Sequence, residues 1–242
     1  MKGDRETMDQ QKLVLFDIDG TLIQCGKAPR RAITEAMKTV FGTTGNVDQY
    51  PFSGKTDTQI VFDVITGAAV DEITVKGRLQ ETIGKYVELL YATLQPADIT
   101  FMKGIRELLD ALHGHTQMTL GLLTGNVAEG AKIKLTRAGL NSYFFNGQGA
   151  IGAFGSDSMN RNDLPAIAVQ RAYERTGRLY KEKNIVIIGD SPYDILCGKS
   201  INVKSIAVAT GWHSRVELEE HKPDFYFDDF TDTKRVVESI LN

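Results

Sequence analysis

The chain has 242 residues, with 28 Lys and Arg against 31 Asp and Glu, a formal net charge of −3 at pH 7. Its 42% hydrophobic and 24% charged residues suit an ordinary globular protein, long enough for one large domain or a core with an insert. The near-neutral balance gives no electrostatic footprint for nucleic acid or an anionic membrane, although a small anionic substrate is still accommodated by local charge. No run of about 18 apolar residues is present to span a bilayer.

Residues 1–11 are polar and charged, lack an apolar signal segment, and read as a leader before the first strand. Residues 12–16 form a short apolar run, a buried strand that ends in Asp17-Ile18-Asp19-Gly20-Thr21. Strand signal then disappears as far as Phe101. In its place stand three helical stripes: Ala32, Ile33, Ala36, Met37 and Val40; Ile60, Val61, Val64 and Ile65; and Ile83, Val87, Leu90 and Leu94. The chain is expected to leave and rejoin the sheet near residues 22–26 and 96–102.

From residue 101 the pattern alternates. A helix face of Ile105, Leu108, Leu109 and Leu112 leads to a strand over 118–123, which ends in Thr124-Gly125-Asn126. Ala128, Ala131, Leu135 and Ala138 mark the next helix, stopped near Gly139, and Leu164, Ile167, Ala168 and Ala172 a third. A strand over 184–188 ends in Gly189-Asp190, and one over 204–209 in Thr210-Gly211. A short edge strand over 224–227 and a helix from around Thr231 complete the chain. This order predicts an α/β fold: a Rossmann-like, mainly parallel core from residues 12–22 and 101–242, with an all-helical insert over 23–100.

The chemistry collects at strand ends, where open α/β sheets bind ligands. Asp17 and Asp19 are two apart, Gly20 permits the turn after them, and two acids there can divide the work of nucleophile and proton carrier. A turn with an Asp capping the next helix would use the same residues. Thr124, Gly125 and Asn126 offer a hydroxyl and backbone N–H groups at a helix start, an anion site or an ordinary turn with Asn126 as N-cap. In Gly189-Asp190-Ser191-Pro192-Tyr193-Asp194, Ser191 reads as an N-cap, Pro192 as the first helical residue and Asp194 as the acid of a capping box. Asp190 precedes that cap and is free to join Asp17 on a hard cation.

Taken together, DIDGT at residues 17–21, LLTGN at 122–126 and GDSPYD at 189–194 resemble the first, second and fourth motifs of the haloacid dehalogenase-like superfamily. The resemblance runs over nearly the whole chain from Lys12 and includes a helical cap after the first strand. It implies that Asp17 attacks phosphorus to form an aspartyl-phosphate, and that Asp19 protonates the leaving oxygen and then deprotonates water. It further implies Mg²⁺ on Asp17, Asp190 and the Asp19 carbonyl, with Asp194 behind them, and phosphoryl oxygens held by Thr124, Gly125 and the Asn126 amide.

The third motif departs from the family pattern. The family has a lysine there, whereas this chain reads Asp157-Ser158-Met159-Asn160-Arg161-Asn162-Asp163-Leu164-Pro165. Arg161 is the candidate substitute, since a guanidinium suits a phosphoryl oxygen. Lys132 and Lys134, on the helix after Asn126, are its rivals. In the insert, residues 52–57 resemble the specificity loop of such caps, which makes Lys55 a candidate substrate contact.

The resemblance thus implies a Mg²⁺-dependent phosphatase, like phosphoglycolate phosphatase, that acts on a small phosphorylated metabolite, with no nucleic acid, membrane or protein partner. The alternative is a phosphomutase like β-phosphoglucomutase. Such mutases carry a histidine about ten residues after the second Asp, where this chain has Ala28-Pro29-Arg30. C–P and C–halogen cleaving relatives lack the second acid of the first motif, so Asp19 argues against them. A non-catalytic binding role has only the unusual third motif in its favour. His113, His115, His213 and His221 read as surface or structural groups, Trp212 as packing or rim, and Tyr143, Phe144 and Phe145 as core. Cys25 and Cys197 are too few and too far apart for a disulfide framework, so a reducing, cytoplasmic setting is expected.

Overall fold

The computed structural model describes residues 11–147 and 149–242. The expected leader, Gln11 apart, lies outside them. The strands are β1 (Lys12–Phe16), β2 (Ile23–Gln24), β3 (Thr100–Phe101), β4 (Met118–Leu123), β5 (Phe145–Asn146), β6 (Gly149–Ala150), β7 (Gly152–Ala153), β8 (Ile185–Gly189), β9 (Lys204–Val208) and β10 (Phe225–Phe227). Six of them form one sheet in the order β10-β9-β8-β1-β4-β7. Every pairing in it is parallel.

β1 is buried along its whole length because it lies at the centre of this sheet, with helices on both faces. Its side chains alternate between two layers. Val14 and Phe16 pack with the helices Ile105–His113, Ala128–Ala138 and Thr233–Leu241. Leu13 and Leu15 pack on the other side with the helix Leu164–Thr176. The result is the expected α/β layering, with strand ends shifted by a residue: the third expected strand runs Ile185–Gly189, and the fourth stops at Val208. The last helix starts at Thr233 because Asp232 caps it, accepting from the Arg235 N–H.

One sheet strand, β7, is not legible in the sequence. It is two residues long and lies so close to β4 that a Cβ on Gly152 would fall 2.1 Å from the Leu122 carbonyl oxygen. A glycine placed for close approach leaves no apolar pattern to read.

Between β1 and β4 stand the helices Ala28–Phe41, Asp57–Thr66 and Glu72–Thr93. Each has an ordinary sequence cause. Pro29 opens the first and Gly42, in left-handed conformation, closes it. Thr56 and Asp71 cap the other two, accepting from the Gln59 and Thr74 N–H groups. The chain passes into and out of this insert side by side, because β2 and β3 pair antiparallel, Ile23 opposite Phe101. The apolar faces of the insert helices join the layer behind Val14 and Phe16 in one continuous core.

Candidate active site

Register brings the site together. Phe16 lies opposite both Leu122 and Ile188, so the ends of β1, β4 and β8 are level. Asp17, Thr124 and Asp190 therefore emerge beside one another. The Asp17 N–H donates to the Ile188 carbonyl at 3.0 Å, which holds the exit of β1 against β8.

Oxygens of Asp17, Asp190 and Asp194, all three buried, lie within 4.8 Å of one another. Glycines make room for them. A Cβ on Gly20 or Gly211 would fall 2.5 or 1.7 Å from Asp190 Oδ2. Thr21 donates its hydroxyl to Asp190 Oδ1 at 3.0 Å. Asp194 Oδ2 accepts from the Ser191 N–H at 3.0 Å and the Ser191 hydroxyl at 2.6 Å, the acidic half of the expected capping box. Its Oδ1 accepts from Arg161.

Arg161 is the cation of this cluster. It is buried, its Nη2 lies 3.4 Å from Asp17 Oδ1, and it also grips Asp194. Its Nε is buried with no conventional hydrogen-bond partner among the described residues, and the Cys197 thiol lies beside the guanidinium. Burial alone would weaken the guanidinium charge, but Asp194 and Asp17 hold it firmly protonated. One guanidinium does not balance three buried carboxylates. Burial pushes Asp17 up to about 7, with Asp194 and Asp19 adding to the rise and Arg161 opposing it. Burial, then Asp17 and Asp194, pushes Asp190 well above the usual carboxylate range. A cluster of hard oxygen donors with surplus negative charge fits a divalent cation such as Mg²⁺.

Asp19 faces a different partner. Its oxygens lie 2.8 and 2.6 Å from Lys134 Nζ, which also reaches Asn126 Oδ1 at 2.6 Å. Asn126 Nδ2 donates to Asp19 Oδ2 and to Thr124 Oγ1, both at 2.8 Å. The Asn126 side chain is thus committed to Asp19, Thr124 and Lys134. Nor does it cap the following helix. Val127 takes the N-cap position without a side-chain bond, and its N–H donates instead to Asp57 of the insert at 2.9 Å. Of the two lysines weighed against Arg161, Lys134 reaches Asp19 and Lys132 is exposed.

The insert loop closes on the core at this place. A Cβ on Gly125 would fall 2.1 Å from the Lys55 carbonyl oxygen, and one on Gly54 would strike the Tyr193 ring at 2.0 Å. Asp57 donates its N–H to the Gly125 carbonyl at 2.8 Å. Thr56 and Thr58 donate their hydroxyls to the Met159 and Gly155 carbonyls at 2.9 and 2.7 Å. Burial pushes the docked Asp57 carboxyl up to about 6, with Lys134 and the Val127 N–H drawing it down. Lys55 Nζ stands 5.4 Å from the centre of the Tyr193 ring. Arg30 lies elsewhere, bonded to the Val47 and Tyr50 carbonyls at 2.7 and 3.1 Å and stacked on Phe52.

Three participants were missed in the sequence: Asp57, His213 and the pairing of Lys134 with Asp19. His213 Nε2 meets Ser53 Oγ at 2.9 Å, tying the insert to the loop after β9. No spacing signals that contact. For Lys134 a signal existed: it follows Asn126 by about two helical turns, which returns it to the same side. Trp212 is a rim residue, 81% exposed. Both cysteines are buried and unpaired, and burial pushes each thiol up to about 12, which removes them as nucleophiles.

Comparison with known proteins bears on the family and the fold. The model of a family described as haloacid dehalogenase-like hydrolase matches residues 14–208. A phosphoglycolate phosphatase of Vibrio vulnificus (strain YJ016) is 23% identical over 242 residues, covering 96% of this chain and 98% of its own. The pyrophosphatase PpaX of Bacillus cereus (strain AH820) is 24% identical over 228 residues, covering 90% and 93%. A crystal structure from Clostridium acetobutylicum, described as a predicted phosphatase, superposes with a TM-score of 0.69 at 21% identity, covering 94% of this chain and 99% of that one. At that identity the structural likeness is one of fold.

Proposed function

This chain belongs to the haloacid dehalogenase-like hydrolase family, and from that membership we propose that it is a Mg²⁺-dependent phosphatase of small phosphate monoesters, working through an aspartyl-phosphate on Asp17. The observation that carries the proposal is the position of Asp17, at the mouth of the central strand between Arg161 and the Asp190–Asp194 pair.

Asp17 and Asp190, with the Asp19 backbone carbonyl, would hold Mg²⁺, and Asp194 supports them from behind. Once bound, the ion supplies the charge that keeps Asp17 ionised and reduces its repulsion of the phosphate. Arg161 takes the third-motif role. Its burial and its contact with Asp17 suit a guanidinium that gathers phosphoryl oxygens beside the nucleophile. Thr124 and the Gly125 N–H hold the remaining oxygens.

Asp17 Oδ attacks phosphorus as the ester P–O bond breaks. Asp19 gives its proton to the leaving oxygen, then takes one from the water that cleaves the aspartyl-phosphate, releasing phosphate and restoring both acids. Residues 23–100 act as the cap. Their loop through Lys55 shields the reacting atoms from bulk water and presents Lys55 to the rest of the substrate. The substrate we propose is a small phosphorylated metabolite of the phosphoglycolate kind. The two buried, unpaired thiols support a reducing, cytoplasmic setting.

The test is phosphate release from a panel of small esters, with Mg²⁺ and with chelator. Release that needs the metal and is concentrated on one class of ester is the expected result. Release that chelator leaves untouched would count against the proposal.

A further inference from the structure

Asp19 and Asp17 are only two residues apart, yet each has its own cation. Arg161 serves Asp17, whereas Lys134 comes from the helix Ala128–Ala138 and serves Asp19. Lys134 is 2% exposed, so its whole stem and its ammonium lie inside the protein. A buried ammonium is costly unless it is well bonded, and the bonds it makes here are specific. It touches both oxygens of Asp19, at 2.8 and 2.6 Å, and the side-chain oxygen of Asn126 at 2.6 Å.

The two Asp19 oxygens are not equivalent. Oδ2 accepts from Lys134 and from Asn126 Nδ2, whereas Oδ1, among the described residues, accepts from Lys134 alone. The Asp19 side chain stays 41% exposed. Oδ2 is therefore held by two donors and Oδ1 by one, on a side chain that is still partly open to solvent.

We propose that Lys134 is a positioning residue for the proposed reaction: with Asn126 it anchors Oδ2 of Asp19, leaving Oδ1 to carry the proton to the leaving group and to take it back from water. The inference rests on the reading of Asp19 as acid and base. Lys134 neither gives nor takes a proton. When the P–O bond of the ester breaks, the proton on Asp19 Oδ1 moves to the leaving oxygen. The carboxylate left behind is held by the same ammonium until water restores the proton. An acid on a free rotamer would meet the leaving oxygen only part of the time, and small misplacements of a reacting group cost up to about 10²-fold in rate.

The test compares 4-nitrophenyl phosphate, whose leaving group departs without a proton, with phenyl phosphate, whose leaving group needs one. Each is assayed with Mg²⁺ as kcat/KM, which reports steps up to formation of the phosphoenzyme. Lys134→Met should lose about ten times more on phenyl phosphate than on 4-nitrophenyl phosphate. Lys134→Arg should recover most of that difference, since a guanidinium still donates to both oxygens. In an Asp19→Asn background, Lys134→Met should change 4-nitrophenyl phosphate turnover by less than about twofold, because it acts through Asp19.

Equal losses on both esters, or a full further loss in the Asp19→Asn background, would overturn the inference and leave Lys134 a structural ion pair. So would unchanged kinetics in a folded Lys134→Met protein, with folding checked on the Lys134→Arg and Lys134→Met variants by thermal melting. The proposed function fails separately, if Asp17→Asn retains Mg²⁺-dependent turnover.

Discussion

Asp17 and Asp19 follow the same strand within one tripeptide, and their surroundings suit them to the different work proposed for them. Asp17 is enclosed with Asp190, Asp194 and Arg161, and burial raises its carboxyl to about 7. Asp19 stays part exposed and is held by a lysine. Replacing Asp17 by Asn removes the proposed nucleophile, so turnover should fall by at least about 10³-fold while the melting temperature stays level or rises, because a buried charge is lost with it. Steady-state assay and thermal melting on the same preparation check both parts.

The raised carboxyls also predict a pH dependence. A carboxyl whose folded-state pKa is raised keeps a proton that the unfolded chain has already lost. For Asp17, between about 4 and about 7, metal-free stability therefore falls as pH rises. A cation that needs Asp17 and Asp190 ionised binds more tightly over the same interval. The rise in Tm caused by Mg²⁺ should be small near about pH 5 and clearly larger near about pH 8. A rise that is the same at both pH values would contradict this account of the cluster.

At this scale the sequence was partly legible. Asp17, Thr124 and Asp190 could be read because each directly follows an apolar strand. The contact of Arg161 with Asp17 could be named only as a candidate, because the loop that carries it has no periodicity to fix where it points. For the Lys134–Asp19 pair the sequence gives only the two-turn spacing that returns Lys134 to the side of Asn126; the approach of that helix to the end of β1 comes from tertiary packing.

Among the elements, the helix Ala128–Ala138 is the one on which the insert closes. Its N-terminal N–H is taken by Asp57 of the insert, and the insert's own Asp57 N–H is taken by the carbonyl of Gly125. The two segments cap each other across the site. Asp57→Ala should cost about 1 kcal/mol of stability, as an N-cap does, and should lower turnover further by loosening the loop that carries Lys55. Denaturant unfolding and kcat/KM measured together check it.

Gly125→Ala places a Cβ at 2.1 Å from a backbone oxygen of that loop, an atom with little freedom to retreat. It should therefore reduce turnover by about tenfold or more with a smaller effect on Tm, because the cost falls on docking rather than on the core. A variant with normal turnover would show that the loop does not dock this way in catalysis. The three insert helices were legible from their stripes and caps. Their docking was not, since it depends on glycines, threonines and one Asp that look like ordinary turn residues.

For the whole molecule, a parallel sheet buried on both faces supplies three level strand ends, and a helical insert returns to cover them. The alternation of strand and helix after residue 101 made the sheet legible, except for β7, whose glycine pairs with β4 by close approach. Membership of the haloacid dehalogenase-like family accounts for the shared plan. Within that plan, Arg161 sets its charge beside Asp17 and Lys134 beside Asp19.

The most direct test of the central claim is to acid-quench the protein during turnover of 4-nitrophenyl phosphate and map the digest by mass spectrometry. One phosphoryl group is expected on the peptide containing Asp17, present with Mg²⁺, absent with chelator and absent in Asp17→Asn. Steady turnover with no phosphoryl group on that peptide, or turnover that survives Asp17→Asn, would contradict that claim.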